Sequence, residues 1–319
     1  MSDASEDDDR TGLSPDEAFT ALGHETRIRI IELLADADRA EMPLAFSELR
    51  SRADMRDSGQ FNYHLDTLVG HFVERTDEGY ALRRAGERVA EAILSSAVTD
   101  DPVLERTETD RACPYCGAPV EVRYREEQLA MYCTACSGTY DAPDRAPGEE
   151  GFLGFHELPP VGLEGRTPTE VQEAATQWTL SRQTLAASGM CPQCSATLAE
   201  WVGVCDAHAD ADGVCEACEN RYAIQHYARC DNCPFARRLS FGQALLDDTA
   251  LLSFLTDHGI NPVSPSSELL SGVLLDYEET LLQREPFRAE FTFSVEGDAI
   301  TLTVDADLDV VDATEHEAA

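Results

Sequence analysis

Every cysteine in the chain belongs to a two-ligand knuckle. The 11 cysteines fall as Cys113-x2-Cys116, Cys133-x2-Cys136, Cys191-x2-Cys194, Cys215-x2-Cys218 and Cys230-x2-Cys233, with Cys205 set against His208 at the same spacing. Each knuckle offers two ligand atoms to one ion, so distant knuckles must meet in pairs. Cys113, Cys116, Cys133 and Cys136 make a first site, and the 16 residues between their knuckles let "PVEVRYREEQLAMYC" fold back as strands. The seven remaining cysteines cannot fill two four-ligand sites, but seven plus His208 can. That arithmetic promotes His208 above the other seven histidines.

Metal is preferred over disulfides because the chain reads as intracellular, where thiols stay reduced. Its start, "MSDASEDDDR", has no positive n-region and no apolar core, so no signal peptide is expected. No apolar run approaches the ~18 residues of a membrane span. We therefore expect a soluble, cytoplasmic protein with no membrane partner. Four thiolates, or three with an imidazole, suit tetrahedral Zn²⁺, giving about three ions per chain. With every coordination position filled, a catalytic zinc is disfavoured. Redox Cys-x2-Cys chemistry and an iron site are the competing readings of the same spacing.

The eight ligands Cys191, Cys194, Cys205, His208, Cys215, Cys218, Cys230 and Cys233 leave their pairing open. Sequential pairing needs "SATLAEWVGV" and "ENRYAIQHYAR" each to turn back on itself, yet both read as uninterrupted strands. We expect cross-bracing instead, with Cys191/Cys194/Cys215/Cys218 on one ion and Cys205/His208/Cys230/Cys233 on the next. The layout resembles treble-ribbon and cross-brace modules in general, and its x6 separation departs from the RING pattern.

Charge bears on partners. The net charge is −37, and all 24 positive residues are arginine, with no lysine. Lysine depletion with acidic excess resembles proteins of extreme halophiles. In ~1 M salt the Debye length is about 3 Å, so such a charge is screened beyond contact range. An acidic protein that simply avoids basic partners is the plainer reading. Between His24 and Ala90 the chain carries 10 Arg against 13 Asp and Glu. That segment is the least hostile to phosphate.

It also carries the most suggestive polar stretch, "DSGQFNYHLDTL". Ser14, Pro15 and Glu17 start a helix that runs with Ile28, Ile31 and Leu34 on its buried face. A short helix follows at "AFSELRSRA", then the polar stretch as a third. Asp77-Glu78-Gly79 turns a hairpin, and "AGERVAEAILSSAV" closes with Val89, Ile93 and Leu94 facing a core or a partner. In the third helix Phe61, Leu65, Leu68 and Val69 share the inner face. Ser58, Gln60, Asn62, Tyr63 and Thr67 point outward, with His64 on the boundary. Amides can read adenine edges in the major groove, and hydroxyls can reach phosphate. Arg75, Arg83 and Arg84 lie on or beside the hairpin, where flanking phosphates would run. A merely solvated helix face is the alternative.

This order is that of a winged helix-turn-helix. "ALGHETRIRIIELL" followed by "QFNYHLDTLVGHFVE" resembles the ArsR-type winged-helix regulators, including their archaeal relatives, over about Leu13 to Val98. The resemblance implies a homodimer that binds double-stranded DNA through the third helix. One departure matters: metalloid-sensing members carry paired cysteines in this domain, and here no cysteine precedes Cys113.

The sequence thus predicts an α+β multidomain chain. We expect a disordered acidic tail at 1–12, a winged helix-turn-helix at 13–98, and a zinc ribbon at 110–145 after a charged linker, Asp100 to Asp110. The linker "APDRAPGEEG" follows the first cysteine cluster, and linker and a helix, capped at Thr167 or Thr169 and stopped at Gly189, fill 146–190. The dual-zinc cross-brace-like module spans 191–237, and an α+β C-terminal domain spans 238–312. That last domain should hold a helix through "QALLDDTALLSFLTDHG", strands around the Glu296-Gly297-Asp298 turn, and a third strand from "GVLLDYEETLLQ". The functional expectation is a DNA-binding transcription regulator with structural zinc sites. One rival is a basal accessory factor in contact with the transcription machinery, since archaeal transcription factor E also joins a winged helix to a zinc ribbon. The other is a zinc-built adaptor whose winged helix only dimerises. No Ser/His/Asp set, phosphate-cradling glycine loop or open metal site argues for an enzyme.

Overall fold

The computed structural model describes residues 13–38, 40–97, 100–140, 150–208, 213–262 and 268–317. The acidic tail at 1–12 and nearly all of the 142–151 linker lie outside the described residues. The chain is α+β with small antiparallel sheets, and it divides into two compact units, Met1–Asp100 and Asp101–Ala319.

The first unit contains α1 (Pro15–Leu22), α2 (Glu25–Asp36), α3 (Phe46–Arg52), α4 (Ser58–Leu68), β1 (Val73–Arg75), β2 (Tyr80–Leu82) and α5 (Arg84–Leu94). The single first helix expected from Ser14 is two. His24 interrupts it with extended backbone and its Nδ1 accepts from the Thr26 N–H at 3.1 Å, capping α2. Arg27 then donates to the Ala21 carbonyl at 2.9 Å, closing the end of α1. Ile30, Ile31, Leu34, Leu49, Phe61, Leu65 and Leu68 form the core. β1 and β2 pair antiparallel, and Leu44 adds a bridge to Tyr80. Gly79 makes that bridge possible, since a Cβ there would lie 2.3 Å from the Leu44 carbonyl oxygen.

In the second unit β3 (Leu104–Ala112), β4 (Pro119–Arg125), β5 (Gln128–Cys133) and β6 (Phe152–Glu157) form one sheet in chain order. Two expectations are corrected here. The charged stretch Asp100 to Asp110 is largely strand β3, because Arg106 and Glu105 find partners across the ladder. Arg106 pairs with Glu121 and lies 4.3 Å from the Tyr132 ring centroid, and Arg125 reaches Glu105 at 3.0 Å. The 146–190 segment likewise contributes β6, paired with β5, before its helix.

That helix, α6 (Pro168–Ala187), is capped by Thr167 in a capping box with Glu170. Its 20 residues span about 30 Å and touch three cores. Val171 and Ala175 enter the core of the four-stranded sheet, Leu180 enters that of the C-terminal segment, and Ala186 packs beside Cys191 and Cys230. Beyond it β7 (Leu198–Val204), β8 (Ile224–Cys230) and β9 (Ala236–Leu239) form a second sheet.

The C-terminal segment holds α7 (Phe241–Ala244), α8 (Thr249–Asp257), α9 (Glu268–Leu275), β10 (Glu278–Gln283), β11 (Arg288–Val295), β12 (Asp298–Val304) and β13 (Val310–His316). The expected long helix is broken: Asp248 caps a new one, accepting from Ala250 and Leu251 N–H groups. Of "GVLLDYEETLLQ" only the second half is strand. β13 adds a fourth strand that runs past the expected limit of 312. Ala289, Phe291, Phe293, Ile300, Leu302 and Val304 line the sheet's buried face as their alternation predicts, and Phe241 stacks on Phe291 at 3.9 Å.

Candidate metal centres and nucleic-acid interface

The knuckles share a local design. The Cys113 N–H donates to the Ala118 carbonyl and Gly117 N–H returns to the Cys113 carbonyl. Cys191 with Ala196 and Ser195, and Cys215 with Asn220 and Glu219, repeat the pattern. Each turn closes through a left-handed residue just after the second cysteine: Gly117 at φ 72°, Ser195 at 62° and Glu219 at 54°. The turn thereby directs both sulfurs to the same side.

Three ligand groups result, each with its ligand atoms within 4.8 Å of one another: Cys113/Cys116/Cys133/Cys136, Cys191/Cys194/Cys230/Cys233 and Cys205/His208/Cys215/Cys218. Sulfur separations of 3.4 Å (Cys116–Cys133), 3.5 Å (Cys194–Cys230) and 3.7 Å (Cys113–Cys136) lie just below the roughly 3.8 Å edge of a tetrahedron with bonds of about 2.3 Å. His208 takes part through Nδ1, 3.4 Å from the Cys218 sulfur. The groups are compatible with about three zinc ions.

The expected cross-bracing is overturned. β7 and β8 pair antiparallel, with Leu198 opposite Cys230 and Val204 opposite Ile224. Antiparallel strands bring the knuckle before β7 to the knuckle after β8, and the knuckle after β7 to the one before β8. The two sites are therefore nested, one at each end of a hairpin about 20 Å long. The strand expected in "SATLAEWVGV" is found over Leu198–Val204, but in "ENRYAIQHYAR" only the half from Ile224 is strand, the residues before it forming the turn of the Cys215 knuckle.

Backbone and side-chain donors favour thiolate at selected ligands. Burial opposes ionisation of Cys133, yet N–H groups of Cys136 and Ala135 outweigh it, leaving its pKa at about 7. The Asn232 side chain and the Ala196 N–H lower that of Cys194 to about 6. Burial pushes the Cys113 thiol up. Only a shared cation lets all four sulfurs of such a group ionise together.

The first site and the inner nested site abut. Tyr140 bridges to Asn220, the Arg221 N–H donates to the Thr139 carbonyl at 2.9 Å, and the Arg221 guanidinium lies 4.0 Å from the Tyr115 ring centroid. Tyr222 then stacks on Tyr277 at 4.2 Å and donates to the Leu275 carbonyl, tying the inner site to the C-terminal core. The sequence pattern carried no signal for these contacts.

In the first unit, Asp57 caps α4 by accepting from Gly59 and Gln60 N–H groups at 2.8 and 3.0 Å. Ser58, Gln60, Asn62 and Tyr63 are exposed, Tyr63 at 68%. Thr67 is half-buried and its hydroxyl donates to the Tyr63 carbonyl. His64 departs from expectation: it is 4% exposed, with its ring 4.1 Å from that of His24, so it packs inward rather than offering a contact. Burial, with His24 and Arg27 nearby, lowers its pKa and favours the neutral ring. Arg75, Arg83 and Arg84 are exposed, but Arg84 already pairs with Glu87 at 2.7 Å. Asp66, which the sequence reading passed over, is exposed and accepts from Asn62.

No helix among the described residues is long and apolar enough to cross a membrane. Two family models match the chain: Domain of unknown function (DUF7347) over residues 15–93, and Domain of unknown function (DUF7351) over residues 110–310. No curated protein and no solved structure matches it. The second match covers more than half of the chain and takes in all three ligand groups, so the chain belongs to the family of the domain of unknown function DUF7351.

Proposed function

We propose that the protein is a DNA-binding transcription regulator. Its first unit is a winged helix-turn-helix of ArsR type, and its second is built around three structural Zn²⁺ ions. The observation that carries this reading is the outer face of α4. A capped helix presents Gln60, Asn62 and a 68%-exposed tyrosine at its N-terminal half, where recognition helices meet base edges. The hairpin that follows carries Arg75, and Arg83 lies just after it at the cap of α5. Zinc is favoured over other metals by the all-thiolate and three-thiolate-plus-imidazole donor sets, closed at four ligands. Phe19 on α1 is 76% exposed and Leu94 on α5 is 53% exposed, which supports a homodimer through these helices. The arginine-only cation set supports a cytoplasm rich in salt. Selection of bound fragments from genomic DNA by the full chain tests the proposal. Enrichment of a common sequence supports it, and recovery of random fragments contradicts it.

The adaptor reading draws on a specific observation: Asp66 lies beside Asn62 on the same exposed helix, and Arg84 is taken up by Glu87. In that case the chain dimerises, binds no DNA, and co-purifies with a protein partner.

A further inference from the structure

The second unit carries a partly open cavity of about 460 Å³ lined by β6, α6 and β9, with Leu274 and Leu275 of α9 also on its wall. This volume lies within the range of small-molecule sites, about 300–1,000 Å³. Phe152, Leu153, Leu180, Phe235 and Leu239 give it an apolar body.

Its polar groups run against the rest of the molecule. In a chain of net charge −37, four of the 24 arginines (Arg111, Arg182, Arg237 and Arg238) line this one space, against the carboxylates of Glu157, Glu173 and Glu219. Arg111 is matched by Glu173. Arg182 and Arg237 share the single carboxylate of Glu157. Arg238 has no carboxylate partner among the described residues; it donates to Gln225 at 3.3 Å and lies 4.9 Å from the Tyr140 ring centroid. Arg237 stands between Phe155 and Phe235, with ring centroids at 5.5 and 5.3 Å. His156 also lines the cavity, and burial holds its pKa down at about 4, so it adds no charge at neutral pH. Guanidinium groups held beside apolar walls with one carboxylate too few match a ligand bearing its own anion.

The geometry points to a binding site for a small organic carboxylate with an apolar body, its head group at Arg238 and its body between β6 and α6. The inference concerns only residues of the second unit and stands or falls apart from DNA binding.

The test is calorimetric titration of the metal-loaded full chain in concentrated KCl. The probes are 3-phenylpropionate, octanoate and indole-3-acetate, each beside its neutral amide. Saturable 1:1 binding of at least one acid, about tenfold tighter than its amide, is expected. Arg238→Gln should remove that preference while leaving amide binding unchanged. Thr176→Phe, which fills the space from α6 without touching a metal ligand, should abolish both, with metal content and melting temperature unchanged. Absence of saturable binding by every acid overturns the inference. Equal binding of acid and amide that Arg238→Gln does not alter also overturns it, since it leaves only an apolar void.

Discussion

Leu198 lies directly opposite Cys230 across the β7–β8 ladder, and that register decides which ligands share an ion. Replacing Cys205 with Ser and His208 with Ala together should release one of three metal ions. In the nested arrangement Cys215 and Cys218 become reactive to alkylation, while Cys191, Cys194, Cys230 and Cys233 stay protected. Mass-spectrometric mapping of labelled thiols checks this, and new labelling at Cys230 and Cys233 would restore the cross-braced pairing. The outer site's core is small, and two of its buried members, Cys191 and Cys230, are ligands. Chelation should therefore unfold that end first.

The left-handed residues of the knuckles give a second prediction. Nothing lies within 4 Å of a Cβ built on Gly117, so Gly117→Ala costs only the backbone strain of φ 72°, about 1–2 kcal/mol. Glu219→Gly and Ser195→Gly relieve the same strain, and thermal melting should show gains of a few tenths to about 1 kcal/mol after the glycine's extra chain entropy. A Gly117→Ala variant as stable as the parent would contradict the shared knuckle geometry.

Glu279 supplies a pH dependence. Burial raises its pKa from 4.5 to about 7, although its carboxylate accepts from the Ala223 and Ile224 N–H groups. The folded state thus holds a proton that the unfolded state gives up. The corresponding stability is fully present below 4.5 and is lost as pH rises through about 7. Glu279→Gln keeps the acceptor without the charge. Its melting temperature should rise relative to the parent between about pH 5 and pH 8, by an amount corresponding to no more than about 3 kcal/mol. Parallel melting curves for the two proteins would contradict this assignment.

Much of the metal architecture was legible in the sequence, because ligand spacing is a local signal and four-ligand arithmetic is global. The helix start at Thr167 or Thr169 and the strands around the Glu296-Gly297-Asp298 turn were legible for the same local reasons. What escaped depended on partners remote in sequence. β3 has a single buried residue, Thr109, and is held by Arg106–Glu121 and Arg125–Glu105 pairs that exist only once β4 is alongside. The break at Asp248 looked like helix because its flanks are apolar at helical spacing, whereas its carboxylate caps α8. Four arginines gathered around one cavity come from β3, α6 and β9, and no linear pattern joins them.

Salt response offers a fourth prediction. His24 to Ala90 carries 10 Arg against 13 Asp and Glu, so few phosphates can be neutralised and few counterions released. Affinity for a selected fragment should fall only shallowly with KCl over the range in which the protein is folded. A steep loss, like that of a strongly basic repressor, would contradict the near-neutral interface.

The central claim is that the exposed face of α4 reads DNA, and fluorescence anisotropy on a selected fragment and a scrambled control tests it most directly. Asn62→Ala should weaken binding to the selected fragment by roughly 1–3 kcal/mol while hardly changing the scrambled one. Arg83→Ala should weaken both alike. Equal affinity of the parent for both fragments, or an Asn62→Ala variant that discriminates as well as the parent, would contradict the account.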